Sequence, residues 1–283
     1  MWKTCLGTNG FIARKLYGYD YSPEEILDHA QEMEYDGIEV HSQLDPFPNQ
    51  DDDVAITIYA EKIISRGMEV AGIQAQITKG KIFSEQPEER KAWTQSAIGQ
   101  VEFCHKLGGV QCGFWPAARQ PDLPDQVLVS RLSEAFIPVA ERAENLNIMI
   151  TIEPEPVQID YSYEIAAQIV DTVGSSHFQF IYDCAHAEVM VGDALETVTE
   201  FGHYIGHVHF CDSDGTVRCE DGASQTSTHL AAGDGTLDLS SILKTLHKTG
   251  YNRWLQVDVW ENPNPIDCSH RTKLFVDSVL STL

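Results

Sequence analysis

"QFIYDCAHAEVM", residues 179–190, begins as a strand and ends as something else. Phe180, Ile181 and Tyr182 suit a packed, pleated segment. Asp183 follows at once, with His186 three residues on. A carboxylate and an imidazole at the end of a buried strand are either a frayed edge with a helix cap or one wall of a site on the rim of a sheet. The rest of the chain decides which.

Seven other stretches share the strand-like character of 178–183. They are 4–8, 37–41, 69–76, 109–115, 148–153, 205–210 and 254–260. Amphipathic helical patterns fill the gaps. Ser22, Pro23 and Glu25 form a capping-box start, followed by Ile26, Ala30 and Met33 at helical spacing. Further on, Leu132, Phe136, Val139, Ala143 and Leu146 mark one helix face. Asp238 or Ser240 opens a short helix that stops near Gly250. "PFPNQDDD" (46–53) reads as a solvated acidic turn before a helix. Eight strands alternating with helices predict an α/β protein with a parallel sheet. In 283 residues the leading solution is one (β/α)₈ TIM barrel spanning 1–283, with its active site at the C-terminal mouth of the strands. An open doubly wound sheet is the rival, but no G-x-G-x-x-G follows the first strand.

Composition narrows the class. Hydrophobic residues are 42%, and no run reaches the ~18 apolar residues of a membrane span. The N-terminus lacks a signal peptide's apolar run, so a cytoplasmic protein is expected. Seven cysteines without a C-x-x-C pair argue against disulfides and zinc-thiolate sites. A formal charge of −24 repels nucleic-acid phosphates and anionic membranes.

Strand parity carries the functional signal, because alternate residues face opposite sides. One set is apolar: Ile38 and Val40, Ile150 and Ile152, Val208 and Phe210, Val257 and Val259. The other carries Glu39 and His41, Gln74 and Gln76, Gln111, Thr151 and Glu153, Asp183, His207 and His209, Gln256 and Asp258. A barrel's outer face must be apolar against its helices, while its inner face is ordinarily filled with branched side chains. Buried charges are costly unless paired or bound to a metal. Glu153, Asp183, His209 and Asp258 stand at four consecutive strand ends, which predicts a polar site holding a divalent ion. His207 shares the parity of His209 one layer deeper, a core or outer-shell place. His105, His177, His203 and His247 read as ordinary surface or core groups.

The stretches "GIEVHS" (37–42), "ITIEPEP" (150–156), "YDCAHA" (182–187), "HVHFCDSDG" (207–215), "HLAAGDGTLD" (229–238) and "GYNRWLQVDVWE" (250–261) together resemble the xylose isomerase-like TIM barrels, the sugar-phosphate isomerase/epimerase superfamily. The resemblance implies one divalent ion, Mn²⁺ first, with Mg²⁺, Co²⁺ or Zn²⁺ as alternatives. Its ligands would be Glu153, Asp183, His209 and, at the eighth strand, Asp258. The family carries Glu at that last position, so Asp258 is one methylene short. Glu261 is the nearest alternative carboxylate, but its offset of three points it to the other face. Family analogy makes Glu153 and Asp258 the acid/base pair and His186 a substrate contact. His41 (with Glu39), Trp115 and His229 are further candidates for the substrate pocket. Arg218 reads as a solvated loop charge.

The implied activity is a metal-dependent isomerase or epimerase acting on a sugar, keto-sugar or polyol through an enediolate. A dehydratase of the inosose type and a non-catalytic sugar binder are the alternatives. The superfamily's zinc endonucleases need early-strand histidines and a basic DNA surface; this chain offers His41 and a charge of −24. No glycine-rich phosphate loop stands out, which favours an unphosphorylated substrate. The expected partner is a small carbohydrate, with no nucleic acid and no membrane; a homo-oligomer is compatible with the sequence.

Overall fold

Eight parallel strands close on themselves in chain order. They are β1 Lys3–Gly7, β2 Gly37–His41, β3 Glu69–Ala75, β4 Gln111–Phe114, β5 Met149–Ile152, β6 Phe178–Asp183, β7 Ile205–Phe210 and β8 Trp254–Val257. The ring is sealed by β1 against β8, from Lys3 opposite Trp254 to Leu6 opposite Val257. The computed structural model describes residues 2–12, 17–18, 20–42, 47–120, 122–156 and 161–283. Among these, no helix is long and apolar enough to cross a membrane.

Helices α1 Pro23–Glu32, α2 Asp53–Ile64, α3 Pro87–Leu107, α4 Asp125–Leu146, α5 Tyr163–Val173, α6 Cys184–Val191, α7 Ala194–Phe201, α8 Leu239–Lys248 and α9 Pro265–Leu280 surround the ring. Helix α1 starts with the full capping box: Ser22 accepts from Glu25 N while Glu25 accepts from Ser22 N. Helix α4 buries Leu132, Phe136, Val139 and Ala143 and half-buries Leu146, as its spacing predicts. Asp238 caps α8 through Ser241 N, and Gly250 follows its end at φ +85°. The acidic stretch expected as a solvated turn differs in part. Pro46 lies outside the described residues, Phe47 is buried, and Asp52 caps α2.

Parity sorts the strands as expected. Ile38, Val40, Ile150, Ile152, Val208, Phe210 and Val257 join the apolar layer between barrel and helices. The inward set, apart from half-buried Gln76, is buried as well but polar, and it bonds across the ring. Gln111 donates to Thr151 Oγ1 at 2.8 Å, and Gln74 to Glu153 Oε2 at 2.7 Å. Five strands end earlier than the sequence suggests, among them β5, which stops before Glu153, and β8, which stops before Asp258. Both carboxylates therefore stand just past the last ladder position, at the C-terminal mouth.

Gly113 shows how tightly this layer is built. A Cβ there would lie 2.0 Å from Gln74 Oε1 and 2.9 Å from Ile181 Cδ1. Gly113→Ala should therefore displace Gln74 from Glu153. Overpacking of this kind costs about 1–3 kcal/mol, to be read as a lowered midpoint in urea unfolding. An unchanged midpoint would show that the layer has slack.

Candidate active site

At the β6–α6 junction Asp183 caps a helix with one carboxylate oxygen and turns the other toward the barrel mouth. Asp183 caps α6, with Oδ1 accepting from His186 N at 2.8 Å. Its Oδ2 turns the other way and lies 3.3 Å from His229 Nε2. The side chain is fully buried. Burial alone would raise its pKa, but His186 and His229 hold it well below the usual carboxylate range.

In the ladder Asp183 pairs with His209, so both point inward at one level. His209 Nδ1 lies 2.8 Å from Glu153 Oε1 and 3.6 Å from Asp258 Oδ2. Nδ1 nonetheless lies out of hydrogen-bonding line with these oxygens. Burial opposes protonation of His209, yet Glu153 and Glu39 push its pKa well above the ordinary imidazole value. Asp258 is held through Oδ1, by Trp260 N at 2.8 Å and Asn9 Nδ2 at 3.2 Å. Its pKa is raised, first by burial and, among nearby charges, by Asp183 and Glu153.

The long segment between β7 and α8, residues 211–238, folds back over the mouth and delivers His229. His229 Nδ1 donates to Ser227 O at 2.9 Å. A carbonyl can only accept, so Nδ1 must carry a hydrogen. Nε2 then faces Asp183 and, at 3.8 Å, Asp258. A bare lone pair between two carboxylates is unfavourable, so this position calls for a proton or another cation. Burial disfavours the charged ring, but Asp258 and Asp183 lift its pKa to about 9. His186 bonds Ser227 Oγ through Nδ1, and its Nε2 lies 3.9 Å from Glu153 Oε1.

Above these groups opens a cavity of about 660 Å³. Asn9, His41, Trp115, Glu153, Glu155, His186, His229 and Asp258 line it. That is within the ~300–1,000 Å³ usual for small-molecule pockets. His41 packs edge-on against Trp115 at 5.1 Å, and burial lowers its pKa to about 4, leaving it neutral. Glu155 is buried, and that burial together with the charge of Glu153 pushes its pKa up to about 8.

The donor chemistry fits a divalent cation. Glu153, Asp183 and His209 each present an atom within 4.8 Å of the other two, and so do Asp183, His186 and His229. Among the described residues, the ion-pair partners within 4 Å of Glu153, Asp183 and Asp258 are histidines rather than lysine or arginine. A hard, oxygen-rich set with imidazole nitrogen suits Mg²⁺, Mn²⁺, Co²⁺ or Zn²⁺.

All eight residues expected at the site converge on this mouth. Glu261 does not join them: at φ 48° its carboxylate turns to Ser224, accepting from N and Oγ at 3.0 Å. Arg218 is 5% exposed rather than solvated, with Nη1 2.9 Å from Tyr17 Oη. Sequence reasoning missed Asn9, Glu155 and Ser227. The second carboxylate of "EPEP" was the one available signal, two residues past Glu153.

The chain belongs to the xylose isomerase-like TIM barrel family, whose model matches residues 27–277. Among curated proteins it is similar to the inosose dehydratase of Bacillus velezensis, 27% identical over 124 residues, covering 40% of this chain and 42% of that one. The match thus spans about two-fifths of that relative's length. Among solved structures, L-ribulose 3-epimerase superposes with a TM-score of 0.78 at 20% identity, covering 100% of this chain and 95% of that one. The IOLI protein, solved with a zinc atom, gives 0.76 at 18% identity, covering 99% and 98%. At these identities the structural likeness speaks for the fold.

Proposed function

We propose that this chain is a divalent-metal-dependent isomerase or epimerase of a sugar, keto-sugar or related polyol, working through an enediolate. The observation that carries the reading is the convergence of Glu153, Asp183, His209 and Asp258 beneath one cavity at the barrel mouth. These four residues would hold the ion. Bound there, a divalent cation supplies Lewis-acid polarisation of a sugar's adjacent carbonyl and hydroxyl oxygens.

The protein's own groups do the rest. Glu153 removes the proton from the carbon beside the carbonyl, and the C–H electron pair becomes the enediolate double bond. β5 and β8 stand three strands apart around the ring, so Glu153 and Asp258 reach a bound carbon from different sides. A proton returned by Asp258 to the opposite face inverts that carbon, which is epimerisation. A proton returned to the neighbouring carbon exchanges aldose and ketose. His186, aimed into the cavity through Nε2, hydrogen-bonds a substrate oxygen, and Trp115 with His41 shapes the wall against the sugar face.

Glu155 favours a second reading, dehydration. A carboxyl with its pKa near 8 is protonated at neutral pH and can donate to a departing β-hydroxyl. The name of the curated relative points the same way. Incubating metal-loaded protein with keto-sugars and inososes in D₂O separates these readings. Deuterium at the α-carbon without loss of water supports epimerisation or isomerisation. Loss of water, read by mass, selects the dehydratase. Absence of both across the panel leaves a sugar-binding protein and sinks the proposal.

Asp258→Glu restores the longer carboxylate of the family. It should fold and keep its metal, since both residues supply carboxylate oxygens, at a packing cost of at most about 1–3 kcal/mol. Its deuterium-exchange preference among keto-sugars should change. An unchanged rate and preference would remove residue 258 from both catalysis and the pocket wall.

A further inference from the structure

We propose that Glu39 is the positioning residue of the metal centre: it fixes the tautomer and ring plane of His209 so that Nδ1, and not Nε2, faces the ion. This rests on the metal centre proposed above. An imidazole has two nitrogens, and the one that binds a metal must be free of its proton. The other then keeps a hydrogen, which in a buried layer needs an acceptor. His209 Nδ1 faces Glu153 and Asp258, whereas Nε2 points down into the barrel, 3.3 Å from Glu39 Oε1. A carboxylate only accepts, so it selects the Nε2–H form.

Glu39 is in turn held from below. It is 2% exposed, and its Oε2 lies 2.6 Å from His207 Nε2, an ion-pair approach out of hydrogen-bonding line. His207 and His209 are two residues apart on β7, their rings edge-on at 5.2 Å. Glu39 on β2 thus reaches two successive inward residues of β7, three strands away around the ring. Glu39 itself does not line the cavity, so it acts through His209 and does not meet substrate. Outer-shell carboxylates on metal-binding histidines fix ring orientation and ligand basicity in just this way.

The test compares wild type with Glu39→Gln, a near-isosteric change, using Co²⁺ as the probe. Affinity is measured by chelator competition and ligand geometry by the visible Co²⁺ absorption. The expected result is Co²⁺ bound about 10–100-fold more weakly, with shifted absorption bands and wild-type circular dichroism. His207→Gln leaves the Glu39–His209 contact in place and should lose less. Equal affinity and an equal spectrum in Glu39→Gln overturn the proposal, as does an equally large loss in His207→Gln. Should Glu39→Gln fail to fold, ¹⁵N-histidine NMR of zinc-loaded wild type decides. A hydrogen on Nε2 of His209 supports the assignment, and one on Nδ1 overturns it. Wild type that binds no divalent ion removes the metal centre itself, and this inference with it.

Discussion

Glu153→Gln should retain the fold and lose α-carbon exchange by about 10²–10⁴-fold, the usual worth of a positioned general base. Glutamine keeps the shape of the side chain and removes its charge and basicity. Glu153 now accepts from Gln74 Nε2 through Oε2 and faces His209 Nδ1 through Oε1. A glutamine can offer its one amide oxygen to only one of these. If it keeps the Gln74 bond, its NH₂ points at His209 and the metal position. If it turns over, two NH₂ groups meet in a buried layer. Either arrangement leaves no anionic oxygen to take a proton and weakens the ion. Exchange in D₂O with a turned-over keto-sugar reads the first effect, and metal content by mass spectrometry the second. Wild-type exchange in a folded Glu153→Gln variant would mean that the base lies elsewhere.

Asp183→Asn should empty the metal centre while leaving the helix that follows intact. Asn caps helices about as well as Asp, so the bond from His186 N survives. The charge that faces His229 and the neighbouring ligand atoms does not. Affinity should fall by more than the ~10–100-fold that loss of an outer-shell partner costs, because a ligand is removed. Asp183→Ala loses the cap as well and should be destabilised by a further ~0.5–2 kcal/mol. The pair of variants thus separates the two roles of one carboxylate. Metal content measured after dialysis, alongside urea unfolding, gives both readouts. Full metal occupancy in Asp183→Asn would reduce Asp183 to a helix cap.

The barrel and the inward set of its strands were legible in the sequence because both follow from covalent geometry. Successive strand residues must face opposite sides, so "GIEVH", "HVHF" and "LQVDV" declare an apolar outer face and a polar inner one before any contact is known. The same periodicity placed Glu153, Asp183, His209 and Asp258 at matching strand ends. It also put Glu39 inside the barrel, but could not say which layer. The sequence reading grouped Glu39 with His41 at the pocket, whereas the fold sets it beneath His209.

What only the tertiary structure decided lies where periodicity ends. Residues 211–238 carry no repeat that tells which side chains reach the site, yet their path brings His229 and Ser227 to Asp183 and His186. Arg218, on the same segment, is buried rather than solvated. Asn9 meets Asp258 across 249 positions because β1 and β8 are neighbours only once the ring closes. The burial that raises the pKa of Glu155 depends on what covers the mouth. Strand faces are set residue by residue by the backbone, whereas loop approach and burial depend on contacts between segments far apart in the chain, and those exist only in the closed barrel.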